Sequence, residues 1–310
     1  MSSDRLRVGA AVLACAMLAA TACSCGAHRD SGVSPAAPAA SAVPATTTPS
    51  TVTTGKGAAG TVPHWDHVVV VVLENKAASE LVGNPAAPFL TRMAAHGMQL
   101  ANSYAITHPS EPNYLALFSG STHGLSSDAC PVQFTGPNLA AALLMAGRTF
   151  TGYSESLPNA GYTGCSSGAY VRKHNPWVDF PALPESVNQP MTAFPSDPSR
   201  LPDLAFVIPN LDDDMHDGTI AQADQWLNAH LSGYLAWATS HNSALLVTTD
   251  EDDSSAGNHI TTLVAGAHVP TSTFPARVNH YGVLRTLLDA FGLPAFAGAV
   301  GVVAVTGVWS

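Results

Sequence analysis

Charge is what this sequence has least of. Lysine and arginine together number 12 against 22 aspartates and glutamates, charged residues make up 11% of the 310, and the formal net charge is −10. A chain so poor in cations has no electrostatic grip on nucleic acid or on an anionic lipid surface, and nucleic acid is excluded as a partner. Cysteine is also scarce. Of five, Cys15, Cys23 and Cys25 crowd the N-terminus, leaving only Cys130 and Cys165 for the rest of the chain. No internal repeat is present.

What is abundant is hydrophobic surface, 46% of the residues, ample for a core. Arg5 and Arg7 precede an apolar run at residues 8–22 that is too short and alanine-rich for a membrane span. The pattern predicts a signal peptide over residues 1–22. Small residues precede Cys23, so lipidation of Cys23 and membrane attachment through it stand beside simple cleavage and release. Residues 23–62 are rich in Ala, Pro, Thr and Ser without an apolar period, which predicts a disordered tether. A folded domain is expected over 63–310, exported to the cell surface or outside it, and acting as a monomer. In such a compartment Cys130 and Cys165 most simply form a disulfide, the alternative being two buried thiols.

Strand and helix patterns then alternate. The run "HVVVVVLEN" (67–75) is continuously β-branched, not alternating, as in a parallel strand covered on both faces. Further strands are expected at 98–106, 149–155, 203–210 and 243–252. Helices are expected at 87–97 with Gly97 as C-cap, after Ser110, and at 138–148, 220–241 and 280–293. This order predicts an α/β fold with a mostly parallel sheet. Chemistry in such sheets gathers at the C-terminal strand ends. Those ends deliver Glu74 and Asn75, then His108 and Ser110, then Asn210 and the acidic stretch carrying His216, then Asp250, Glu251, Asp252 and Asp253.

Ser110, in "ITHPSEPNYLALFSG" (106–120), has two readings. It is an N-cap with Pro112 in the first turn, or a nucleophile in the anion-favouring field of a helix N-terminus. In the second reading Asn113, one turn on, donates its amide to a phosphoryl oxygen. Glu74, Asn75, Asp250 and Glu251 are the candidate metal ligands. An all-oxygen set suits one divalent Ca, Mg or Mn ion better than Zn. Crowded acids repel unless a cation sits among them, although an isolated "DEDD" is usually a solvated loop. His174 and His216 are candidates to bind phosphate or protonate a leaving group. His280, at a helix start, reads as a cap. "GCSSG" (164–168) matches the nucleophile elbow of serine hydrolases and makes Ser166 a competing nucleophile, but it does not follow a strand directly.

The motifs "LEN", "THPSEPNYLALFSG", "RKHNPW", "FVIPN", "DMHDG", "TTDEDD" and "NHYGVLRTLLDAFGL" occur in the order seen in the bacterial phosphoesterase family, and over residues 65–295 the chain resembles it. That family contains acid phosphatases and non-specific phospholipases C within the alkaline phosphatase superfamily. The resemblance implies a three-layer sandwich with helices on both faces of the sheet. It also implies a metal-bound hydroxyl nucleophile, Ser110, a covalent phospho-enzyme, and Glu74, Asn75, Asp250 and Glu251 at the metal. Asn113 matches the Asn of the S/T-x-P-N pattern of related nucleotide pyrophosphatases. Two-zinc members carry an Asp-His pair where Asp250-Glu251 stands here, which argues for one metal. The expectation is an exported phosphomonoesterase of acid phosphatase type acting on a phosphorylated small molecule or lipid headgroup. A phospholipase C-like diesterase is the alternative; a non-catalytic phosphate-binding lipoprotein and a serine esterase come after it.

Overall fold

A computed structural model of the protein describes residues 61–310. The expected signal segment, Cys23 and nearly all of the tether lie outside the described residues. The strands, in chain order, are β1 (His67–Leu73), β2 (Met98–Tyr104), β3 (Phe150–Ser154), β4 (Ser166–Ser167), β5 (Tyr170–Val171), β6 (Asn188–Pro190), β7 (Leu204–Ile208), β8 (Ser243–Thr249), β9 (His259–Ile260), β10 (Thr262–Gly266) and β11 (Ser272–Asn279). The α-helices are α1 (Ala78–Leu81), α2 (Pro88–His96), α3 (Ser110–Ser119), α4 (Leu139–Met145), α5 (Ile220–Ala238) and α6 (His280–Ala290). None of the described helices is long and apolar enough to cross a membrane.

One sheet runs β11-β2-β10-β8-β1-β7-β3-β6, with β9 pairing β2. β10 and β9 are antiparallel to their neighbours and every other pairing is parallel. The continuous apolar run of β1 is explained by its central place. Val68, Val70 and Val72 enter the core under α3, α4 and α6, while Val69, Val71 and Leu73 enter the core under α2 and α5. Both faces are covered, so neither set of alternating side chains is polar. The three-layer α/β sandwich expected from the sequence is present.

Three details differ from expectation or were not foreseen. β10 and β11 carried no strand signal strong enough to be read. β11 is a sheet edge with Pro275 at a register shift between Phe274 and Arg277, where a missing N–H costs least. β10 is short and inserted antiparallel between two parallel strands. Gly97 does end α2, but in an extended conformation, with φ −124°. Its lack of a side chain serves packing: a Cβ there would lie 2.4 Å from the Val264 carbonyl oxygen of β10.

Candidate active site

β1 and β8 are adjacent and parallel, with Leu73 opposite Thr249. Their C-terminal ends therefore place Glu74 beside Asp250 and Glu251. All three are buried. The Asn75 N–H donates to Asp250 Oδ1 at 3.2 Å, which fixes one strand end to the other. Across from them, α3 begins.

Ser110 is the first residue of α3, not its cap. Pro109 holds the cap position, and no side chain accepts a hydrogen bond there. The Ser110 hydroxyl instead turns to the carboxylates, donating to Glu74 Oε2 at 2.9 Å, with Glu251 Oε1 at 3.5 Å. The capping reading of this serine is thereby corrected: its side chain is committed to the acidic strand ends. Asn113 sits one turn further. Its Oδ1 accepts the Ile106 and Thr107 N–H groups, and its amide donates to the Thr107 and Pro109 carbonyls and to Glu251 Oε2 at 3.2 Å. Asn113 therefore braces the loop before Ser110 and holds Glu251, and its donors are already engaged.

His174 is buried and stacked on Tyr114, with ring centroids 5.0 Å apart. Its Nε2 lies 3.2 Å from Glu74 Oε1 and its Nδ1 3.2 Å from Asp214 Oδ2. Neither His174 Nε2 nor Asp214 Oδ2 is aligned for a hydrogen bond with a protein partner, and Asp250 Oδ2 has none either. Burial holds the imidazole pKa well below its usual range, so the neutral ring keeps one N–H and offers one nitrogen lone pair, not a charge. His216 stands at the edge, its ring 5.9 Å from that of His174, with Nδ1 2.7 Å from Asp217 Oδ1. His280 sits behind the site. Its Nε2–H donates to the Asp250 carbonyl at 2.5 Å, and burial lowers its pKa to about 4. Asn279, not His280, caps α6.

The carboxylates cannot all be charged here. Burial, then Asp250 and Asp214, raise the Glu74 pKa well above the usual range. Burial is also the main cause that lifts Asp214 and Asp250 to about 7 and Glu251 to about 8. Glu74, His174 and Asp214 each offer a ligand atom, all within 4.8 Å of one another. A buried cluster of acids with unsatisfied oxygens and a neutral imidazole has the donor chemistry of a divalent cation site. Sequence reasoning named Glu74 and His174 but missed Asp214, one of three consecutive aspartates; the pattern of residues did not say which of the three turns inward. It also missed Tyr114, whose hydroxyl donates to Glu74 Oε1 at 2.5 Å.

The competing Ser166 lies in the two-residue strand β4, paired antiparallel with β5, and is exposed. No helix opens there and no histidine contacts it among the described residues, so the nucleophile-elbow reading falls. Cys130 and Cys165 form a disulfide, with Cα atoms 5.7 Å apart.

A model of the phosphoesterase family matches residues 83–294. The chain is 49% identical over 255 residues to phosphatidylinositol-3-phosphatase of Mycobacterium tuberculosis, covering 81% of this chain and 85% of that protein. It is 32% identical over 225 residues to the phosphate-repressible acid phosphatase of Penicillium chrysogenum, covering 66% of this chain and 55% of that longer protein. Among solved structures, a protein in the alkaline phosphatase superfamily from Vibrio parahaemolyticus superposes with a TM-score of 0.52 at 14% identity, covering 79% of this chain and 73% of that one. That likeness shows the fold.

Proposed function

The chain belongs to the phosphoesterase family and is a hydrolase of phosphate esters, and on that premise we propose that it is an exported phosphomonoesterase that works through a phosphorylated Ser110 with the help of a divalent metal. The observation that carries this reading is the Ser110 hydroxyl, placed at a helix N-terminus and 2.9 Å from Glu74 Oε2. The positive end of α3 favours the anionic phosphoryl group at that spot. Ser110 Oγ attacks phosphorus, its proton passes to the carboxylate it already faces, and the ester oxygen leaves with the alcohol. His216, at the edge of the site and oriented by Asp217, supplies the proton to that leaving oxygen. Water then attacks the seryl phosphate from the side the alcohol vacated and releases phosphate.

Glu74 would hold the metal together with Asp250 and Glu251 on one side and His174 and Asp214 on the other, with Asn75 at the rim. The bound ion would lower the pKa of the serine hydroxyl and neutralise phosphoryl charge. Because an imidazole joins the carboxylates, the donor set is mixed, and the all-oxygen argument against zinc no longer applies. The test is turnover of p-nitrophenyl phosphate before and after prolonged chelation with metal analysis. Loss of activity with loss of metal, and recovery on adding a divalent ion, is the expected result. Full activity at far less than one metal per chain would move the acids to general-base or structural roles.

A monoester is favoured over a diester because the relatives that the chain matches are phosphatases by name. The phosphatidylinositol-3-phosphatase relative brings a phosphorylated lipid headgroup into the candidate substrates. Export, with Cys23 as lipid acceptor, rests on the N-terminal pattern alone; the mass of the mature N-terminus decides it, and an unmodified N-terminus beyond residue 25 would mean simple secretion.

A further inference from the structure

Beside the nucleophile lies a constellation that the reaction above leaves unused. Lys173 Nζ and Asp128 Oδ2 pair at 2.7 Å, with 19% and 31% of their side chains still exposed. The pair is pinned to the catalytic centre from both sides. Asp128 Oδ1 accepts the N–H of Glu111, the residue after Ser110, at 3.0 Å, and the Ala129 N–H donates back to Glu111 Oε2. Lys173 immediately precedes His174. With the disulfide, the ion pair walls an open cavity of about 130 Å³ lined by Asp128, Ala129, Cys130, Cys165, Val171 and Lys173.

The chemistry of this wall is specific. An ion pair is electrically neutral as a unit, so it does not select a second phosphate. Lys173 gives one N–H to Asp128 and faces His216 Nε2 at 3.5 Å, which leaves donor capacity over. Asp128 keeps acceptor lone pairs beyond its two bonds. A donor beside an acceptor, both charged, is the complement of neighbouring hydroxyls, each of which can donate to one and accept from the other. Val171 and the disulfide supply an apolar surface for the C–H face of a ring. We propose that this cavity is the subsite for the alcohol part of the ester, and that Lys173 and Asp128 select phosphomonoesters of polyols, sugar or cyclitol, over aryl esters. The proposal takes its placement from the phosphomonoesterase reading.

Two probes that differ in hydroxyls test it: myo-inositol 1-phosphate and phenyl phosphate, titrated by calorimetry into the metal-loaded Ser110→Ala chain with and without Lys173→Met. The expected result is a loss of about 10- to 100-fold for the inositol ester, the range for a lost bond to a charged group, and less than about 2-fold for the phenyl ester. Lys173→Arg should retain most of the inositol affinity. Equal losses on both probes, or no loss on either, would overturn the subsite. Turnover of the native chain separates this from the reaction itself. If neither ester is hydrolysed yet the binding difference is present, the phosphatase reading falls and the subsite stands. If both are hydrolysed and Lys173→Met changes their kcat/KM values equally, the subsite falls and the phosphatase reading stands.

Discussion

Tyr114 follows Ser110 by four residues, so both side chains leave α3 on the same face, one above the other. Ser110 takes Glu74 Oε2 and Tyr114 takes Glu74 Oε1, while the Tyr114 ring backs His174. One helix face thus fixes a carboxylate and an imidazole together. Tyr114→Phe keeps the ring and removes the hydroxyl. We expect it to weaken divalent-metal affinity by about 10- to 100-fold, as loss of a supporting hydrogen bond to a ligand does, with the fold unchanged. Metal titration followed by calorimetry checks this, and native affinity in the variant would remove Tyr114 from the site. At this scale the sequence was informative wherever chain position alone decides what a residue faces. Glu74, Asp250 and Glu251 follow buried strands, and Ser110 opens a helix. It was silent where a side chain's direction depends on a loop. Asp214 is buried while its neighbours Asp212 and Asp213 are not fully so. Asn113 was read as a free donor toward phosphate, yet its amide braces the loop at residues 106–109.

Segments between elements carry much of the site, and the disulfide ties two of them together. Cys130 anchors the loop that brings Asp128 to the start of α3, and Cys165 anchors the β4–β5 hairpin that leads into Lys173 and His174. The bridge spans 35 residues, for which chain entropy gives about 3–4 kcal/mol. The double variant Cys130→Ser, Cys165→Ser should lose about that much in urea unfolding and lose activity more than the loss of folded protein explains. An unchanged unfolding midpoint would contradict it. The elements themselves were legible where the apolar period was long, as in β1, β7, β8, α5 and α6. β10 and β11 were not, because a five-residue strand and a proline-broken edge carry little periodicity.

Across the whole molecule the parallel sheet gathers acids from distant parts of the chain at one end. Folding raises Asp214 and Asp250 from their ordinary 3.8 to about 7, and Glu251 from 4.5 to about 8. The folded state therefore binds these protons more tightly than the unfolded chain does. Their contribution to stability is fully present below about pH 4 and is lost as pH rises through 7 to 8. Metal-free protein should melt at a lower temperature at pH 8 than at pH 5, and a divalent ion should restore the loss at pH 8 by taking the place of the protons. Thermal melts at both pH values, in chelator and in metal, check the sign; a higher melting temperature at pH 8 in chelator would contradict it.

The central claim is that Ser110 is the atom that takes the phosphoryl group, and the most direct measurement is the turnover of p-nitrophenyl phosphate by the metal-loaded Ser110→Ala chain, with Ser166→Ala beside it. The account predicts a fall in kcat of at least ~10³-fold for Ser110→Ala in a protein that still melts cooperatively, with most activity kept by Ser166→Ala. Near-native turnover by Ser110→Ala would contradict it.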